Sequence, residues 1–507
     1  MKRIVSGMMF ILLLAGMLTL AFNIQPVKAW TGTVYIRADG SIDPPSAPIQ
    51  RDGDIYTLTD NITSSGNARA ILVRRDDIII DGAGYTVQGS GSGIGIYLLG
   101  RKNVTVRNTQ IQNFNYGIYL GYSSNNTVIG NNITANGRDG IYLDSSSNNS
   151  VIRNNITANN WSGIYLFSSF NNTAVGNNIT NNDYGIHLGS YSSNNTVIGN
   201  DITNNNRYGI WLYSSSTSNN SVIRNNITAN GRDGIELSSS SNNSIIGNYI
   251  TNTNKGNGIW LGYSSNNTVI GNNITNNRYG VYLDDSSNNV FCHNNFINNT
   301  YRVSTSNSAN VWDLGYPSGG NYWSDYVVTA NDTYSGSFQD ETGSDGMSDE
   351  PYVIDANNTD HYPLMGMFSD FNATSEHHVR TICNSTISDF QFNGTAISFN
   401  ASGENGTTGF CRICVPTTLM NDTYKVFVNG TEVPHTLLPC SNSTHSYLYF
   451  TYNHSTQEVV VIPEFSTWTS MLLVLIVLTF AIVIYKRRLL KTLPNKGNKS
   501  SHDYKVA

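Results

Sequence analysis

The feature of this sequence that most constrains its fold is an internal repeat of 22 to 25 residues. Its landmark is a G-[IV]-x-L phrase, with an early copy at 95–98. The glycine then recurs at Gly117, Gly140, Gly163, Gly185, Gly209, Gly234, Gly258 and Gly280. A period this short, without helical periodicity, is typical of coils in a parallel β-helix. Leucine-rich repeats need an L-x-x-L-x-L frame that is absent here, and propeller blades need nearly twice the period.

Alternation predicts which side chains of a coil face inward. In the phrase beginning at Gly117, Ile118 and Leu120 are expected inside and the residue between them outside. In the next phrase Val128 and Ile133 are expected inside, on two strands that meet at a bend. Coils stack at ~4.8 Å, so about ten coils would form a rod roughly 50 Å long.

One asparagine of the repeat never varies within the chain. It occurs at Asn131, Asn154, Asn177, Asn200, Asn225, Asn248, Asn272 and Asn294. The next position drifts, to Asp201 and Tyr249 in two coils. Asparagine tolerates left-handed turn conformations, and stacked copies can hydrogen-bond to one another. We therefore predict a structural asparagine ladder with these residues in the left-handed turn.

Asparagines at two corners of the coil also form N-x-[ST] triplets. One group is Asn132, Asn155, Asn178, Asn226 and Asn273; the other is Asn125, Asn148, Asn171, Asn194, Asn219, Asn242 and Asn266. In a secreted chain these triplets can carry glycans. The same residues also suit a β-turn, so both interpretations remain open.

The two ends of the chain predict export and membrane attachment. Residues 1–29 combine a basic start, an apolar stretch and a small-residue cleavage site, which predicts a signal peptide; a retained anchor is the alternative. Residues 467–485 are uncharged and long enough to cross a bilayer, and a basic cluster follows at 486–491. We expect a single-pass protein on the extracellular face with a cytoplasmic C-terminus.

Composition agrees with an extracellular all-β protein. Only 13% of residues are charged, whereas the chain has 30 Tyr and 45 Gly. The net charge of −6 argues against a nucleic-acid partner, which requires a basic face.

The repeat, together with the flanking stretches 38–62, 76–89, 315–326 and 342–365, resembles the NosD-type, or carbohydrate-binding and sugar-hydrolysis (CASH), right-handed parallel β-helix family. The likeness is to archaeal cell-surface members, and Pro463–Glu464–Phe465 resembles a PEF-type C-terminal anchor. The implied plan is a signal peptide at 1–29, an N-terminal cap and first coils at 30–102, regular coils at 103–311, a C-terminal cap at 312–368, a β-sandwich at 369–462, a linker at 463–466, a transmembrane helix at 467–485 and a basic tail at 486–507.

The β-sandwich prediction rests on alternating runs broken by Gly and Asn. Four of the five cysteines lie here: Cys383, Cys411, Cys414 and Cys440. In an extracellular β domain such a set favours disulfides, and the single Cys-x-x-Cys lacks the second pair of a zinc site. Cys292 lies in a coil and is expected to be a packed free thiol.

The outward position of G-[IV]-x-L is rich in rings, which predicts a strip on one face of the rod. We consider its members candidate carbohydrate-binding residues, namely Tyr119, Tyr142, Tyr165, His187, Trp211, Trp260 and Tyr282. The alternative is that these rings stack on one another and only stabilise the sheet.

Catalysis has weaker support in the sequence. β-helix hydrolases need two carboxylates at one cleft. The candidates are Asp139, Asp233 and Glu236, but other residues interrupt their columns, and the preceding Arg138 and Arg232 suggest surface ion pairs. The set of candidate carboxylates therefore favours a non-enzymatic role without excluding an enzyme.

Metal binding is a further implication of the family. Copper requires clustered His, Met or Cys, whereas His187 and His293 lie several coils apart, so a copper role is disfavoured. Calcium has a candidate loop in the C-terminal cap, with Asp340, Asp345 and Asp349 spaced around a glycine.

The sequence thus predicts a cell-surface β-helix that binds carbohydrate or serves as a structural or adhesive envelope component. Its expected partners are a polysaccharide, the membrane and other envelope proteins. A polysaccharide lyase or hydrolase is the alternative, and a copper accessory role is the third hypothesis.

Overall fold

The computed structural model describes residues 30–251, 256–327, 329–420 and 423–464. The chain forms two compact units that divide between Phe368 and Ser369. The predicted signal peptide, transmembrane helix and basic tail lie outside the described residues. Within the described ranges, no helix has the length and apolar character needed to cross a membrane.

The first unit is an all-β parallel solenoid of about 12 turns, built from three long sheets of 13, 13 and 12 strands. Most coils contribute one strand to each sheet. We name the sheet that carries the G-[IV]-x-L phrases the aromatic sheet. Its strands are Val34–Ile36, Ile42–Asp43, Arg69–Val73, Ile94–Leu99, Tyr116–Gly121, Ile141–Asp144, Ser162–Phe167, Tyr184–Leu188, Ile210–Tyr213, Ile235–Ser238, Asn257–Gly262, Tyr279–Asp284 and Tyr301–Ser306.

The other two sheets lie on either side of the ladder asparagine in sequence. The sheet before it contains Ile49–Asp52, Ile55–Leu58, Ile79–Asp81, Thr105–Arg107, Thr127–Ile129, Ser150–Ile152, Thr173–Val175, Thr196–Ile198, Ser221–Ile223, Ser244–Ile246, Thr268–Ile270 and Val290–Cys292. The sheet after it contains Trp30–Thr31, Ile62–Thr63, Thr86–Gln88, Gln110–Gln112, Asn132–Thr134, Asn155–Thr157, Asn178–Thr180, Asp201–Thr203, Asn226–Thr228, Tyr249–Thr251, Asn273–Thr275, Asn295–Ile297 and Tyr322–Trp323.

The core of the rod is the stack of inward side chains that alternation predicts. Ile118, Leu120 and Ile133 are 0% exposed and Val128 is 1% exposed. Each such side chain contributes about 1.5–3 kcal/mol when it is fully buried. The rod has about two more turns than the ten expected, because the coils between residues 30 and 88 lack the G-[IV]-x-L phrase.

The predicted asparagine ladder is present. The backbone N–H and Nδ2 of Asn131 both donate to Oδ1 of Asn154, at 2.9 and 3.0 Å. The same pair of bonds repeats at every coil to Asn294, which donates to Asn321. The expectation that ladder asparagines adopt the left-handed conformation is wrong. The residue before them has positive φ, as at Gly130 (65°), so the corner turns one residue earlier and Asn131 is left to point inward.

Two further ladders accompany it. One begins with Asn126 donating to Asn149, and the other with Asn136 donating to Asn159. Each again follows a residue with positive φ, Asn125 and Ala135 in these coils. The buried ladders satisfy backbone donors at all three corners, so the corners can lie against the core without orphaned polar groups.

The C-terminal cap closes the last coil with aromatic rings. Trp312 stacks on Phe291 at a centroid distance of 4.4 Å, and Trp323 stacks on Phe296 at 4.3 Å. Both tryptophans are 0–1% exposed. The cap contains the short strands Tyr334–Ser335, Glu341–Thr342, Tyr352–Asp355 and Asn358–Asp360.

The second unit is the expected small β-sandwich, with two five-stranded sheets in which antiparallel pairing predominates. Their inner faces supply a core that includes Ile413, Val426, Phe450 and Val461. The first sheet contains Met367–Asn372, His378–Cys383, Thr408–Pro416, His435–Leu437 and His445–Asn453. The second contains Thr386–Phe392, Ile397–Ser402, Tyr424–Val428, Thr431–Val433 and Thr456–Pro463.

Candidate functional site

The structure places the predicted ring strip in a single column of the aromatic sheet. Consecutive coils pair residue by residue, so that each outward ring lies directly beside its counterpart in the next coil. The column runs through Tyr97, Tyr119, Tyr142, Tyr165, His187, Trp211, Glu236, Trp260 and Tyr282.

From Tyr97 to Trp211 the rings contact one another without a break. Successive centroid distances are 5.3, 5.3, 5.0, 4.4 and 4.2 Å, and all but the second contact are stacked. Stacked faces are covered by neighbouring rings and leave mainly ring edges for solvent. This part of the strip therefore agrees with the alternative that the rings stabilise the sheet.

His187 differs most from its predicted role. The side chain is 5% exposed, and neither ring nitrogen has a hydrogen-bond partner among the described residues. Burial lowers the pKa of His187 to about 3, so the ring is neutral. His187 keeps its outward position in the column, but Tyr165 and Trp211 stack on it and leave almost none of it open to a ligand.

The ring column stops at Glu236, a carboxylate that is 6% exposed. Oε1 of Glu236 accepts a 2.7 Å bond from Ser238 Oγ, and the Glu236 carboxyl also hydrogen-bonds to Tyr208 and Asp233. Asp233 is 2% exposed, and its Oδ1 accepts both the backbone N–H and Nδ2 of Asn257 at 2.8 and 2.9 Å. Burial, followed by the adjacent Glu236 carboxylate, raises the pKa of Asp233. Asp233 and Glu236 therefore form a buried pair of carboxyl groups in hydrogen-bond contact.

Beyond this pair the sheet surface opens into a groove of about 460 Å³, which we name the Trp260 groove. It is lined by Arg232, Asp233, Gly256, Asn257, Trp260, Arg278, Tyr279, Tyr282 and Asp284. Among the described residues no aromatic ring contacts Trp260, and Tyr282 meets only the edge of Tyr279, at 5.5 Å. The groove therefore coincides with the part of the strip where ring-on-ring stacking ends.

A glycine accounts for the opening. Strand register places Arg232, Gly256 and Arg278 in one column of three successive coils. A Cβ atom at Gly256 would lie 1.7 Å from the carbonyl oxygen of Arg232, so no other residue fits this backbone. The middle coil has no side chain where its neighbours carry a guanidinium group.

The groove does not have the geometry of a glycoside hydrolase. Its second carboxylate, Asp284, is five residues past Tyr279, which shares the column of Asp233 two coils away. Asp233 and Asp284 are therefore separated by ~16 Å along the strand and ~10 Å along the rod, which puts their Cα atoms roughly 19 Å apart. Glycosidase carboxyl groups lie about 5–9.5 Å apart. Asp233 and Glu236 are in hydrogen-bond contact, which is too close.

The third catalytic candidate is enclosed. Asp139 is 0% exposed; Oδ1 accepts the Ser162 backbone N–H, and Oδ2 has no partner among the described residues. Burial raises its pKa to about 6. The expected surface ion pairs are wrong, because both acids are buried and the arginines turn to tyrosine hydroxyl groups, Arg138 to Tyr116 and Arg232 to Tyr208.

The described residues contain no group of three or more His, Cys, Asp or Glu side chains that could hold a metal ion. In the candidate calcium loop, Asp349 accepts the backbone N–H groups of Thr333 and Tyr334, and Asp345 accepts that of Met347. In these bonds the carboxylates accept backbone N–H groups of the C-terminal cap itself. Calcium binding by Asp340, Asp345 and Asp349 stays a prediction.

The five cysteines are free thiols in this structure, and disulfide formation among Cys383, Cys411, Cys414 and Cys440 stays a prediction. Cys383 and Cys411 are nevertheless directly opposite on paired strands of the sandwich, and their side chains hydrogen-bond to each other. Cys292 is buried and donates to the Gly319 carbonyl, as expected for a packed thiol.

Sequence reasoning missed Gly256, Asn257, Arg278 and Asp284 as groove residues. One signal was available, since the residue two before the G-[IV]-x-L glycine is arginine at 138, 207, 232 and 278 but glycine at 256. Gly256 between Arg232 and Arg278 indicates a gap in the row of side chains. Only the stacking of the coils shows that this gap adjoins Trp260.

Comparison with known proteins gives two adjoining family matches. The model described as "Right handed beta helix region" matches residues 49–202, and the model described as "Periplasmic copper-binding protein (NosD)" matches residues 191–328. No curated protein matches the chain.

Similar solved structures include the periplasmic alginate epimerase AlgG, at 17% identity over 52% of this chain and 78% of that one, with a TM-score of 0.40. They also include the A-module of the Azotobacter vinelandii mannuronan C-5 epimerase AlgE6, at 18% identity over 57% and 91%, with a TM-score of 0.44. The Dettilon tailspike protein is 13% identical over 79% and 87%, with a TM-score of 0.32. The two family matches and the parallel solenoid together support a NosD-type right-handed β-helix family, with the NosD match itself confined to residues 191–328.

Proposed function

We propose that this protein binds carbohydrate in the Trp260 groove. The observation that carries the proposal is the open, ring-lined groove at the point where the column of stacked rings ends. A ring that no other ring covers can stack on the apolar face of a sugar. Asn257, Tyr279 and Tyr282 add amide and hydroxyl groups of the kind that bind sugar hydroxyls.

In this proposal the protein works outside the cell. The segment 1–29 directs export, and the segment 467–485 holds the protein at the membrane with residues 486–507 on the cytoplasmic side. A rod that presents one groove on its side suits an adhesive or structural envelope component. The copper description of the matched family is not part of the proposal, because the described residues offer no matching donor set.

An enzyme acting on a polysaccharide is the second candidate. It is favoured by one observation, the buried contact between the Asp233 and Glu236 carboxyl groups at the margin of the groove, where burial raises the pKa of Asp233. A carboxyl group whose pKa is raised can serve as a general acid. The distance to Asp284 argues against hydrolysis with that residue as the second carboxylate.

The test is a polysaccharide array on which the full chain in detergent micelles is scored for both retention and polymer length. Binding predicts retention without shortening, and Trp260→Ala should abolish it. Trp161→Ala is the matched control, because Trp161 is 37% exposed but does not line the groove. Shortened polymers that persist in Trp161→Ala but not in Asp233→Asn would establish the enzyme instead. Retention that survives Trp260→Ala would refute the site.

A further inference from the structure

The Trp260 groove lies between two positively charged walls. Arg232 and Arg278 occupy the same column two coils apart, with Gly256 between them. Their Cα atoms are therefore ~10 Å apart along the rod. Both side chains are exposed, and both line the groove.

Tyrosine rings hold these guanidinium groups in position. Arg232 lies 5.3 Å from the centroid of Tyr208 and donates from Nη1 to its hydroxyl at 2.6 Å. Arg278 lies 5.3 Å from the centroid of Tyr279. Neither arginine forms an ion pair with a carboxylate among the described residues. A ring orients the cation without neutralising it, so each guanidinium keeps unused N–H donors for a ligand.

The acids of the groove do little to cancel this charge. Asp233 is buried, and its Oδ1 already accepts two hydrogen bonds from Asn257. Asp284 lies at the far end of the strand, roughly 20 Å along it from the column of Arg278. The end of the groove between the arginines is thus cationic, and it adjoins Trp260, which no other ring covers among the described residues.

We propose that the Trp260 groove selects acidic polysaccharides, with a sugar ring on Trp260 and its anionic group between Arg232 and Arg278. This inference rests on the proposed function and names its ligand class. Guanidinium groups bind carboxylate and sulfate oxygens through paired N–H donors, and a gap flanked by two of them fits one anion bridged from both sides. Uronate and sulfate-ester polymers share this chemistry, and the test separates them.

The experiment measures binding of the full chain to three sets of immobilised polymers: uronate-containing, sulfated and neutral. Arg232→Gln and Arg278→Gln should each weaken acidic-polymer binding roughly tenfold or more, as expected for loss of a charge-assisted contact. Arg278→Lys should retain part of it. The matched control is Arg138→Gln, because Arg138 makes the same 5.3 Å ring contact and 2.6 Å hydroxyl bond, to Tyr116, outside the groove.

The outcomes are separable. Stronger binding of either acidic set, lost in the two groove variants and kept in Arg138→Gln, supports the inference and identifies the anion. Equal binding of neutral and acidic polymers overturns the inference and leaves the proposed function standing. Loss in Arg138→Gln as well would show a non-specific charge effect, which also overturns it. Retention of no polymer refutes the proposed function and the inference together. Unchanged thermal unfolding of each variant excludes misfolding as the cause.

Discussion

The backbone N–H of Asn321 donates to Oδ2 of Asp360 at 2.8 Å. Asn321 is the last member of the long asparagine ladder, and Asp360, which is 0% exposed, is the group that ends it. The same Oδ2 accepts Trp323 Nε1 at 2.9 Å. A ladder asparagine both accepts and donates, whereas Oδ2 of Asp360 accepts from Asn321 and Trp323 and passes no bond to a further coil. The ladder thus ends on a side chain that needs no further coil.

Replacing Asp360 should therefore uncap the rod. Asp360→Ala leaves the buried N–H groups of Asn321 and Trp323 without an acceptor, each costing about 1–3 kcal/mol. We expect the free energy of unfolding in urea to fall by about 3 kcal/mol or more. Asp360→Asn keeps an acceptor oxygen and should lose less. Equal losses in the two variants would contradict the capping role.

Ladder asparagines should matter far more than their exposed neighbours. Asn177 accepts two bonds from Asn154 at 2.9 and 3.0 Å, whereas the adjacent Asn178 is exposed. Asn177→Ala should cost about 2–4 kcal/mol of unfolding free energy, because buried donors lose their acceptor. Asn178→Ala, the matched control, should cost no more than about 0.5 kcal/mol. Comparable losses at both positions would rule out the ladder as a source of stability.

Asp139 should make the stability of the rod depend on pH. Burial raises its pKa in the folded protein to about 6 from 3.8, so ionisation is disfavoured in the folded state. The stability it contributes is fully present below about pH 4 and is lost as pH rises through about 6. Asp139→Asn should therefore stabilise the protein at pH 8, by up to about 3 kcal/mol, and change little at pH 4.

The measurement is the difference in unfolding free energy between the variant and the wild type from pH 4 to 8. The exposed Asp285 provides the control, as Asp285→Asn. A difference that does not vary with pH would show that Asp139 keeps an ordinary acidity.

Oxidation should join Cys383 to Cys411. Residues directly opposite on antiparallel strands have Cα atoms about 4.5–5.5 Å apart, which a disulfide can span. We expect treatment with oxidised glutathione to remove two hydrogen atoms and to give one peptide containing both residues after digestion. Cys383→Ser should abolish that peptide. Pairing of Cys411 with Cys414 instead would disprove the assignment.

The coil could be predicted because its period is explicit in the sequence. Residues such as Ile118, Val128 and Asn131 recur in successive coils, and each has the same structural role in every copy. The ladders at Asn126 and Asn136 were missed, because the same asparagines also belong to glycosylation triplets and turns. The contact between the Tyr165 and His187 rings depends on how the strands of two neighbouring coils are aligned. The inward and outward alternation within one coil does not specify that alignment. The groove depends on Gly256 lying between two arginines and on Glu236 interrupting the rings, and such relationships between coils exist only once they are stacked.

The ladders also bear on how such a protein changes length. Between Asn126 and Asn182, each coil receives donors from the coil before it and offers the same donors, at the same three corners, to the coil after it. A duplicated coil would therefore find matching partners on both sides, and the terminal acceptors Asn358 and Asp360 would receive the same groups from a longer rod as from a shorter one. Tandem gene duplication can thus lengthen the protein without redesign of either end, and any groove on its side would be displaced along the rod in steps of one coil, ~4.8 Å each.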